Sequence, residues 1–281
     1  MTATGSTGAS DITAPASGTE AFRALGFTFS VQTSDAALAG HIDQLLASLA
    51  PYRITLDTQE VAVAPSLGRV LDYLLWHINR QVLEHTDDAL LVHAGAVAGR
   101  RGAVVLPAPS GSGKSTVVAA LVRSGMGYLT DEATAVDPAT CTLHPYPKPL
   151  SLDQGSLQAL ADLGSPFLDA EVPEGSEKLH VAPTTVRAGS LATACAPAFV
   201  IVPSYIPGAR DRIAPLPRAR ALVLLAQSSF NLAAFGSSGF LALAELVRQS
   251  ACYRLEFGDL GRACSLVLDL VEQAPVRQPQ P

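Results

Sequence analysis

The sequence predicts an α/β fold in which a mostly parallel sheet is flanked by helices. Three observations lead to this prediction. Apolar runs typical of strands alternate with amphipathic segments typical of helices, most clearly from residue 89 to residue 272. The glycine-rich stretch APSGSGKST, residues 108–116, follows one apolar run and opens a helical pattern. Two apolar runs flank the sequence GRRG at 99–102, which is typical of a β-hairpin.

Composition limits the classes of partner and compartment. The chain has 281 residues, of which 48% are hydrophobic, enough for one large domain or one domain and a smaller lobe. Its formal net charge of −6 provides no basic field, so we expect neither nucleic acid nor membrane partners. Four widely spaced cysteines without a C-x-x-C pair favour reduced thiols, and no secretory signal or membrane-spanning run is recognised, so we expect a cytoplasmic protein.

The chain divides into four segments. Residues 1–20 and 273–281 contain few large apolar side chains and are predicted to be disordered tails. Residues 21–88 are predicted to form a small N-terminal α/β extension, and residues 89–272 the domain that carries the glycine-rich stretch.

In the extension, a strand is predicted at Phe27–Val31 and a helix at Ala36–Leu49. Residues 52–56 and 61–64 are short strand candidates. Apolar residues at three- and four-residue spacing predict a strongly amphipathic helix over Leu67–Leu83.

In the main domain, Ala89–Ala98 and Ala103–Ala108 are predicted to pair as the hairpin, and Tyr128–Glu132 is predicted to form the strand after the loop helix. Residues 144–190 are rich in Pro and Gly and allow only a short helix at 157–163. The remaining predicted elements are strands at 198–202 and 252–257 and helices at 219–228, 240–249 and 260–272.

The stretch 108–116 has the features of a nucleotide-binding loop. Glycines at 111 and 113 free backbone N–H groups to face phosphates, and the helix start adds positive potential. Lys114 would reach the β- and γ-phosphates, and the Ser115 hydroxyl would hold Mg²⁺. The alternative is a Gly/Ser linker with a chance lysine. The residues expected to bind ATP are Ala108, Pro109, Ser110, Gly111, Ser112, Gly113, Lys114, Ser115 and Thr116, where Ala108 replaces the usual glycine.

The acidic pair Asp131–Glu132 ends the strand that follows the loop helix. In a crossover unit, this strand end lies at the same sheet edge as the loop, so the pair should lie near a γ-phosphate. One carboxylate would bind Mg²⁺, and the other would accept the proton of an attacking hydroxyl. The alternative is a pair of solvated carboxylates at a strand end.

A symmetric hairpin makes the numbers of paired residues sum to 201, so that Gly95 faces Leu106 and His93 faces Ala108. This register brings His93 beside the loop, where it would contact a phosphoryl oxygen or orient the carboxylate base. The alternative is a core histidine with satisfied hydrogen bonds.

At these residues the chain resembles the HPr kinase/phosphorylase superfamily. The match combines His93 in LLVHAG, a hairpin that runs directly into SGSGKS, and Asp131–Glu132. The resemblance implies a P-loop core like that of HprK and phosphoenolpyruvate carboxykinase, with His93, Lys114, Asp131 and Glu132 as catalytic residues. By position, Glu132 is the general base, whereas Ser115 and Asp131 are associated with Mg²⁺.

The similarity is closer to HprK-related kinases found beside peptide-modification genes. Those kinases share sequences like LLWHINR at 74–80, YLTDE at 128–132 and HPYPKP at 144–149. The resemblance extends over residues 68–270 and is sharp only over 74–153. It implies ATP and Mg²⁺ as cofactors, a peptide or protein substrate that bears an acceptor serine, and homo-oligomers, which are common in the family.

The family's Mg²⁺-binding Glu, its later catalytic Arg and its usual N-terminal domain have no recognisable counterpart. Candidates for the Glu and the Arg are Glu174, Glu177, Lys178, Arg187, Arg210 and Arg212. Lys148 and Lys178 are candidate phosphate or substrate contacts. The alternatives are that Lys178 is a solvated loop residue and that Lys148 only positions its loop.

The leading hypothesis is a Mg·ATP-dependent kinase that transfers the γ-phosphoryl group to a hydroxyl, and the expected acceptor is a serine of a peptide or protein. A small-molecule kinase with the same catalytic residues is one alternative. A non-catalytic nucleotide-binding regulatory subunit is the other, although a protein that only binds nucleotide needs no base.

Overall fold

The computed structural model describes residues 21–25, 27–30, 36–47, 66–164 and 171–273. The tails predicted at 1–20 and 273–281, apart from Gln273, and the strands predicted at 52–56 and 61–64 lie outside the described residues. No helix in these ranges is long and apolar enough to cross a membrane.

The described residues form twelve strands and eight helices. The strands are β1 Ala21–Ala24, β2 Phe27–Ser30, β3 Leu90–Gly99, β4 Gly102–Pro107, β5 Gly127–Thr130, β6 Ala133–Val136, β7 Leu143–His144, β8 Leu150–Leu152, β9 Leu179–Val181, β10 Pro197–Tyr205, β11 Arg212–Pro215 and β12 Ala251–Phe257. The helices are α1 Ala36–Leu46, α2 Leu67–His85, α3 Lys114–Arg123, α4 Gln154–Ala161, α5 Pro183–Val186, α6 Arg218–Gln227, α7 Leu232–Gln249 and α8 Leu260–Gln273.

Most differences from the predicted elements are at their ends. The helix predicted from Phe240 begins at Leu232, because α7 continues through a kink at Gly236, whose φ of 55° and ψ of −127° are not helical. The unassigned segment 144–190 contributes the β8–β9 pair and the helices α4 and α5.

The main sheet is mixed, so the prediction of a mostly parallel sheet was wrong. It has eight strands in the order β11-β12-β10-β4-β3-β6-β7, with β5 also paired to β3. Among these strands only the pairs β10–β4 and β10–β12 are parallel, and the other five pairs are antiparallel. Strand β3 of the hairpin lies between β4 and β5 and is antiparallel to both. The connection from β4 through α3 to β5 therefore crosses over β3 and does not join two neighbouring strands. Because both β4 and β5 are antiparallel to β3, these two strands still run in the same direction.

The predicted hairpin register is confirmed. Strands β3 and β4 pair from Gly99–Gly102 to Ala94–Pro107, and each pair of residue numbers sums to 201. The ladder ends there, so His93 does not pair with Ala108 but with Ala133 on β6.

The strand predicted at Tyr128–Glu132 is interrupted. Strand β5 ends at Thr130 and β6 begins at Ala133, although both pair with β3. The Thr130 hydroxyl accepts hydrogen bonds from the backbone N–H groups of Glu132 and Ala133, at 3.2 and 3.3 Å. This side-chain acceptor replaces regular ladder contacts and leaves Asp131 and Glu132 in the break.

Helices cover both faces of the sheet. On one face, α3, α4 and α8 bury a core with residues such as Val97, Leu106 and Leu255. On the other face, α6 and α7 pack against residues such as Val92, Ala96 and Val105. The period of two along a strand explains this division, since side chains point alternately to opposite faces.

The N-terminal extension shares a core with the main domain. Leu46 of α1 and Leu74 and Ile78 of α2 are buried with Ala133 of β6 and Tyr146. The Tyr146 hydroxyl also donates to Asn79 Oδ1 at 3.2 Å. The amphipathic helix predicted at Leu67–Leu83 therefore packs beside the strand break.

Helix α3 approaches β3 most closely at Gly95. A Cβ atom on Gly95 would lie 2.6 Å from Val118 Cγ2 and 3.4 Å from Lys114 Cγ. The first distance is well inside van der Waals contact, so this packing requires glycine.

We therefore expect Gly95→Ala to destabilise the protein by about 1–3 kcal/mol, the usual cost of overpacking. Urea unfolding measures the effect. Gly40→Ala is the matched control, because Gly40 is exposed in α1 and a Cβ there meets nothing within 4 Å. Equal free energies of unfolding for the two variants would contradict this account of the packing.

Candidate functional site

Residues 108–113 form a loop between the end of β4 and the start of α3. Gly111 and Gly113 have φ values of 79° and 82°, in the left-handed region that favours glycine. A Cβ on Gly113 would also lie 3.1 Å from Phe257 Cζ. The first regular helical bond of α3 runs from Val117 N–H to the Gly113 carbonyl, at 2.9 Å. N–H groups in the first turn of a helix have no intrahelical acceptor and suit an anion.

The loop is held by its own polar groups and by a neighbouring strand. The Ser112 hydroxyl donates to the Pro109 carbonyl at 2.8 Å, and Tyr205 N–H donates to the Ser112 carbonyl at 3.3 Å. The end of β10 therefore supports the loop where it turns into α3.

A cavity of about 760 Å³ opens in front of this loop. Its volume falls in the range of small-molecule and cofactor sites. The loop and first turn of α3 form one side, and His93, Glu132 and Ser151 lie in the wall. Residues of α4 and the start of α8 complete the wall together with Lys178, Tyr205 and Phe257.

Lys114 is the buried cation of this cavity. Its side chain is in the cavity wall, the residue is only 6% exposed, and Nζ has no hydrogen-bond partner within the described ranges. Burial lowers the pKa of Lys114 to about 8, although the carboxylates of Glu132 and Asp131 oppose this shift. A buried ammonium without a partner is costly, so this position suits an anionic ligand.

Asp131 is buried behind the cavity wall and holds several groups together. Its Oδ1 lies 2.9 Å from Lys148 Nζ and accepts from the Tyr128 hydroxyl at 3.0 Å. Its Oδ2 is 3.5 Å from the backbone N of Ser151, and the Ser115 hydroxyl lies close enough to help lower the pKa of this carboxylate. Burial raises the pKa of Asp131, but Lys148 and these donors outweigh burial and lower the pKa below its ordinary value.

The two lysines predicted as phosphate or substrate contacts lie in different environments. Lys178 is in the cavity wall. Lys148 is 8% exposed, and its ammonium contacts Asp131 and donates to the Pro149 carbonyl at 2.9 Å. Its charge is thus paired with Asp131.

His93 and Glu132 face each other at the cavity. His93 Nε2 lies 3.6 Å from Glu132 Oε1, and both side chains are partly exposed. The backbone N–H of His93 donates to the Ser228 carbonyl at 2.7 Å, and the ring lies 5.5 Å from that of Phe230. Burial and the charge of Lys114 lower the pKa of His93, so the ring is neutral at pH 7.

The donor set fits a magnesium ion that arrives with phosphates. Mg²⁺ prefers oxygen ligands and usually takes only one or two from the protein, together with phosphate and water. Ser115 is in the cavity wall with the buried Asp131 carboxylate behind it, and these are the two residues that would be associated with the ion. In the described residues, no group of three or more His, Cys, Asp and Glu side chains could hold a metal by itself.

Two arginines considered from the sequence have structural partners outside the cavity. Arg187 donates to the Val122 and Met126 carbonyls, each at 2.9 Å, at the end of α3 far from the loop. Arg212 pairs with Glu256 at 2.6 Å across β11 and β12.

Sequence reasoning missed Ser151, Tyr205 and Phe257 in the cavity wall. Ser151 follows Lys148 in a segment without clear periodicity. Phe257 was predicted only as the last residue of a strand, and Tyr205 lies beyond the strand predicted at 198–202. Their position at strand ends beside the loop was the available signal, because ligands bind at such edges of α/β sheets.

A scan against protein-family models finds no match for this chain, and a search of curated proteins finds no relative. The resemblance to HprK-like kinases therefore depends on the motifs alone.

Replacing Lys148 by Met should leave the Asp131 carboxylate buried without its cation. Removing one partner of a buried ion pair typically costs about 3–5 kcal/mol, and we expect a loss of this size in the free energy of unfolding. The double variant Lys148→Met/Asp131→Asn should recover part of the loss, because no unpaired charge remains. Denaturant unfolding measures all three proteins.

The control is Arg80→Met, which removes an exposed ion pair with Glu84 and should change stability little. If Lys148→Met were as stable as this control, the ion pair with Asp131 would not support the site.

Proposed function

We propose that this protein is a Mg·ATP-dependent kinase of the HprK-like kind, which transfers the γ-phosphoryl group of ATP to a hydroxyl. We further propose that the acceptor is a serine of a peptide or protein, in line with the resemblance to kinases found beside peptide-modification genes.

One observation carries the proposal: a buried ammonium without a partner in the described residues lies where a glycine-rich loop becomes a helix. Lys114 and the first-turn N–H groups of α3 would bind the β- and γ-phosphates. Charge that develops on the transferring group would be stabilised by the same lysine.

Glu132 is suited to act as the general base. It lies in the cavity wall with Lys114, and its side chain is about one-third exposed, at 32%. The acceptor oxygen would form its bond to the γ-phosphorus as the bond to the β–γ bridging oxygen breaks. Glu132 would take the hydroxyl proton, and the neutral ring of His93 would hold Glu132 in place.

Ser115, with Asp131 behind it, would hold Mg²⁺ together with the phosphates and water, which leaves Glu132 free to act as the base. The ion neutralises phosphate charge in such reactions. The apolar part of the wall formed by Tyr205, Phe257 and Leu260 suits the nucleobase. The Tyr205 and Phe257 rings lie 5.6 Å apart, and Tyr205 is 49% exposed, so a base can reach it.

Glu132→Gln should lower transfer by about 10²–10⁴-fold, the usual contribution of a general base, and retain nucleotide binding. Transfer is measured as ADP release and as phosphate gain in a degenerate library of serine peptides. Nucleotide affinity is measured separately with a fluorescent ATP analogue. The matched control, Glu84→Gln on the exposed side of α2, should transfer like the parent protein.

Full transfer by Glu132→Gln would contradict the assignment of the base. Phosphate gain in small hydroxyl compounds but not in peptides would identify a small-molecule kinase. Tight nucleotide binding without any transfer would instead identify a regulatory subunit.

Nucleotide affinity should fall as the pH rises above about 8. Because burial lowers the pKa of Lys114 to about 8, the free protein loses the ammonium above this pH, whereas bound phosphate favours it. Binding then takes up a proton, so the dissociation constant should rise by up to about tenfold per pH unit. Titrations between pH 7 and 10 measure this slope.

Lys114→Met should bind nucleotide more weakly and show no change of slope near pH 8. Lys178→Met should keep that change of slope, because its cation is separate from Lys114. A pH-independent affinity in the parent protein would contradict a phosphate contact by Lys114.

A further inference from the structure

Ser151 in the cavity wall is hydrogen-bonded to a histidine that could act as its base. Ser151 Oγ lies 3.1 Å from His180 Nδ1, and His180 Nε2 lies 2.5 Å from Asp72 Oδ1. Ser151 and His180 are direct partners across the β8–β9 pair, and Asp72 comes from α2. Three elements thus place a serine, a histidine and an aspartate in one hydrogen-bonded chain.

The hydrogen bonds define which atom carries each proton. An ionised carboxylate only accepts, so His180 Nε2 must donate its proton to Asp72. Burial lowers the pKa of His180 despite the opposing effect of Asp72, so the ring is neutral and Nδ1 is an acceptor. The Ser151 hydroxyl is then the donor. The Ser176 hydroxyl also donates to Asp72 Oδ1, at 2.9 Å, and helps to hold that carboxylate.

The position of Ser151 indicates which ligand the three hydrogen-bonded residues could react with. Ser151 shares the cavity wall with Lys114 and Ser115. Its backbone N is 3.5 Å from Asp131 Oδ2, and the Ser115 hydroxyl acts on the same carboxylate, so Asp131 lies between Ser151 and the first turn of α3. A serine with a base and an orienting carboxylate is the usual arrangement of an activated nucleophile. Here it lines the same cavity as the loop that would hold phosphates.

We propose that the protein phosphorylates itself on Ser151, an inference that rests on the ATP site proposed above. Ser151 Oγ attacks the γ-phosphorus of ATP and forms an O–P bond. The bond from that phosphorus to the β–γ bridging oxygen breaks, and ADP leaves. The hydroxyl proton passes to His180 Nδ1, and Asp72 stabilises the resulting imidazolium.

The product would be a phosphoserine in the wall of the cavity that Lys114 and Lys178 share. Glu132 has no part in this step, because the base for Ser151 is His180. Self-phosphorylation and transfer to an external acceptor therefore use one nucleotide site and two different bases.

The test uses the full chain incubated with Mg·ATP, followed by intact mass and peptide mapping. We expect a gain of one phosphate, mapped to Ser151, and no gain in Ser151→Ala. Asp72→Asn keeps the size of the side chain and removes its charge. In this variant the first-order rate of Ser151 phosphorylation at saturating ATP should fall by about 10²–10⁴-fold, with the half-saturating ATP concentration unchanged. His180→Gln should have a similar effect.

The matched control is Asp43→Asn, because Asp43 is exposed on α1 and should not affect the rate. Phosphorylation of serine peptides and binding of a fluorescent ATP analogue are measured on the same proteins. Nucleotide binding and peptide phosphorylation without phosphate on Ser151 would overturn this proposal and leave the proposed kinase standing. Absence of nucleotide binding would overturn both. Equal rates for His180→Gln and the parent protein would refute proton transfer to His180, and equal rates for Asp72→Asn would refute the role of Asp72.

Discussion

The close contact between α3 and β3 at Gly95 is the constraint on which the site depends. Without a side chain at this position, the helix rests almost directly on the strand, and the stem of Lys114 passes over the glycine. The lysine is therefore buried at the start of its helix instead of extending into solvent. His93 lies two residues before Gly95 on the same face of β3. This strand therefore carries the histidine and also determines where the Lys114 side chain lies.

The chemistry of the site follows from two buried lysines that differ in their partners. Lys148 is paired with Asp131, so the charge of that carboxylate is already compensated. Lys114 has no such partner in the described part of the chain, so the site keeps a positive charge that suits phosphate. The adjacent carboxylates differ in the same way. Asp131 is 1% exposed and is held by Lys148, Tyr128 and the backbone N–H of Ser151, whereas Glu132 is in the cavity wall and accessible. One carboxylate has a structural role, which leaves the other for proton transfer.

Local patterns predicted the parts of the fold that are determined locally. The hairpin register followed from a symmetric turn, and the helix at Leu67–Leu83 from its apolar spacing. The order of the strands in the sheet could not be predicted from local patterns, because the position of β3 between β4 and β5 depends on pairing between distant segments. The break at Asp131–Glu132 depends on a hydrogen bond to the hydroxyl of Thr130, and the spacing of apolar residues carries no information about such a bond.

For the same reason, the sequence indicated the loop, Lys114 and the acidic pair, but it did not indicate the hydrogen bonds that connect Asp72 through His180 to Ser151. The loop residues are contiguous, whereas Asp72 and His180 are 108 positions apart and His180 and Ser151 are 29 apart. A single aspartate in an amphipathic helix carries no motif. Only the packing of α2 against the β8–β9 pair brings it to His180.

That packing gives the N-terminal extension a place in the site. A Cβ on Gly68 of α2 would lie 2.7 Å from the Glu174 carbonyl, so α2 rests closely on the segment that leads to Lys178. Asp72 then contacts both Ser176 and His180. The loop, Lys114 and Glu132 belong to β3, β4, α3 and the strand break, and none of them contacts Asp72 through a hydrogen bond described in these ranges. A shift of α2 would separate Asp72 from His180 and leave the phosphate loop in place. In this fold the base for the internal serine depends on α2 directly through Asp72. The external acceptor instead relies on Glu132 in the strand break, which α2 reaches only through the core that it shares with Ala133.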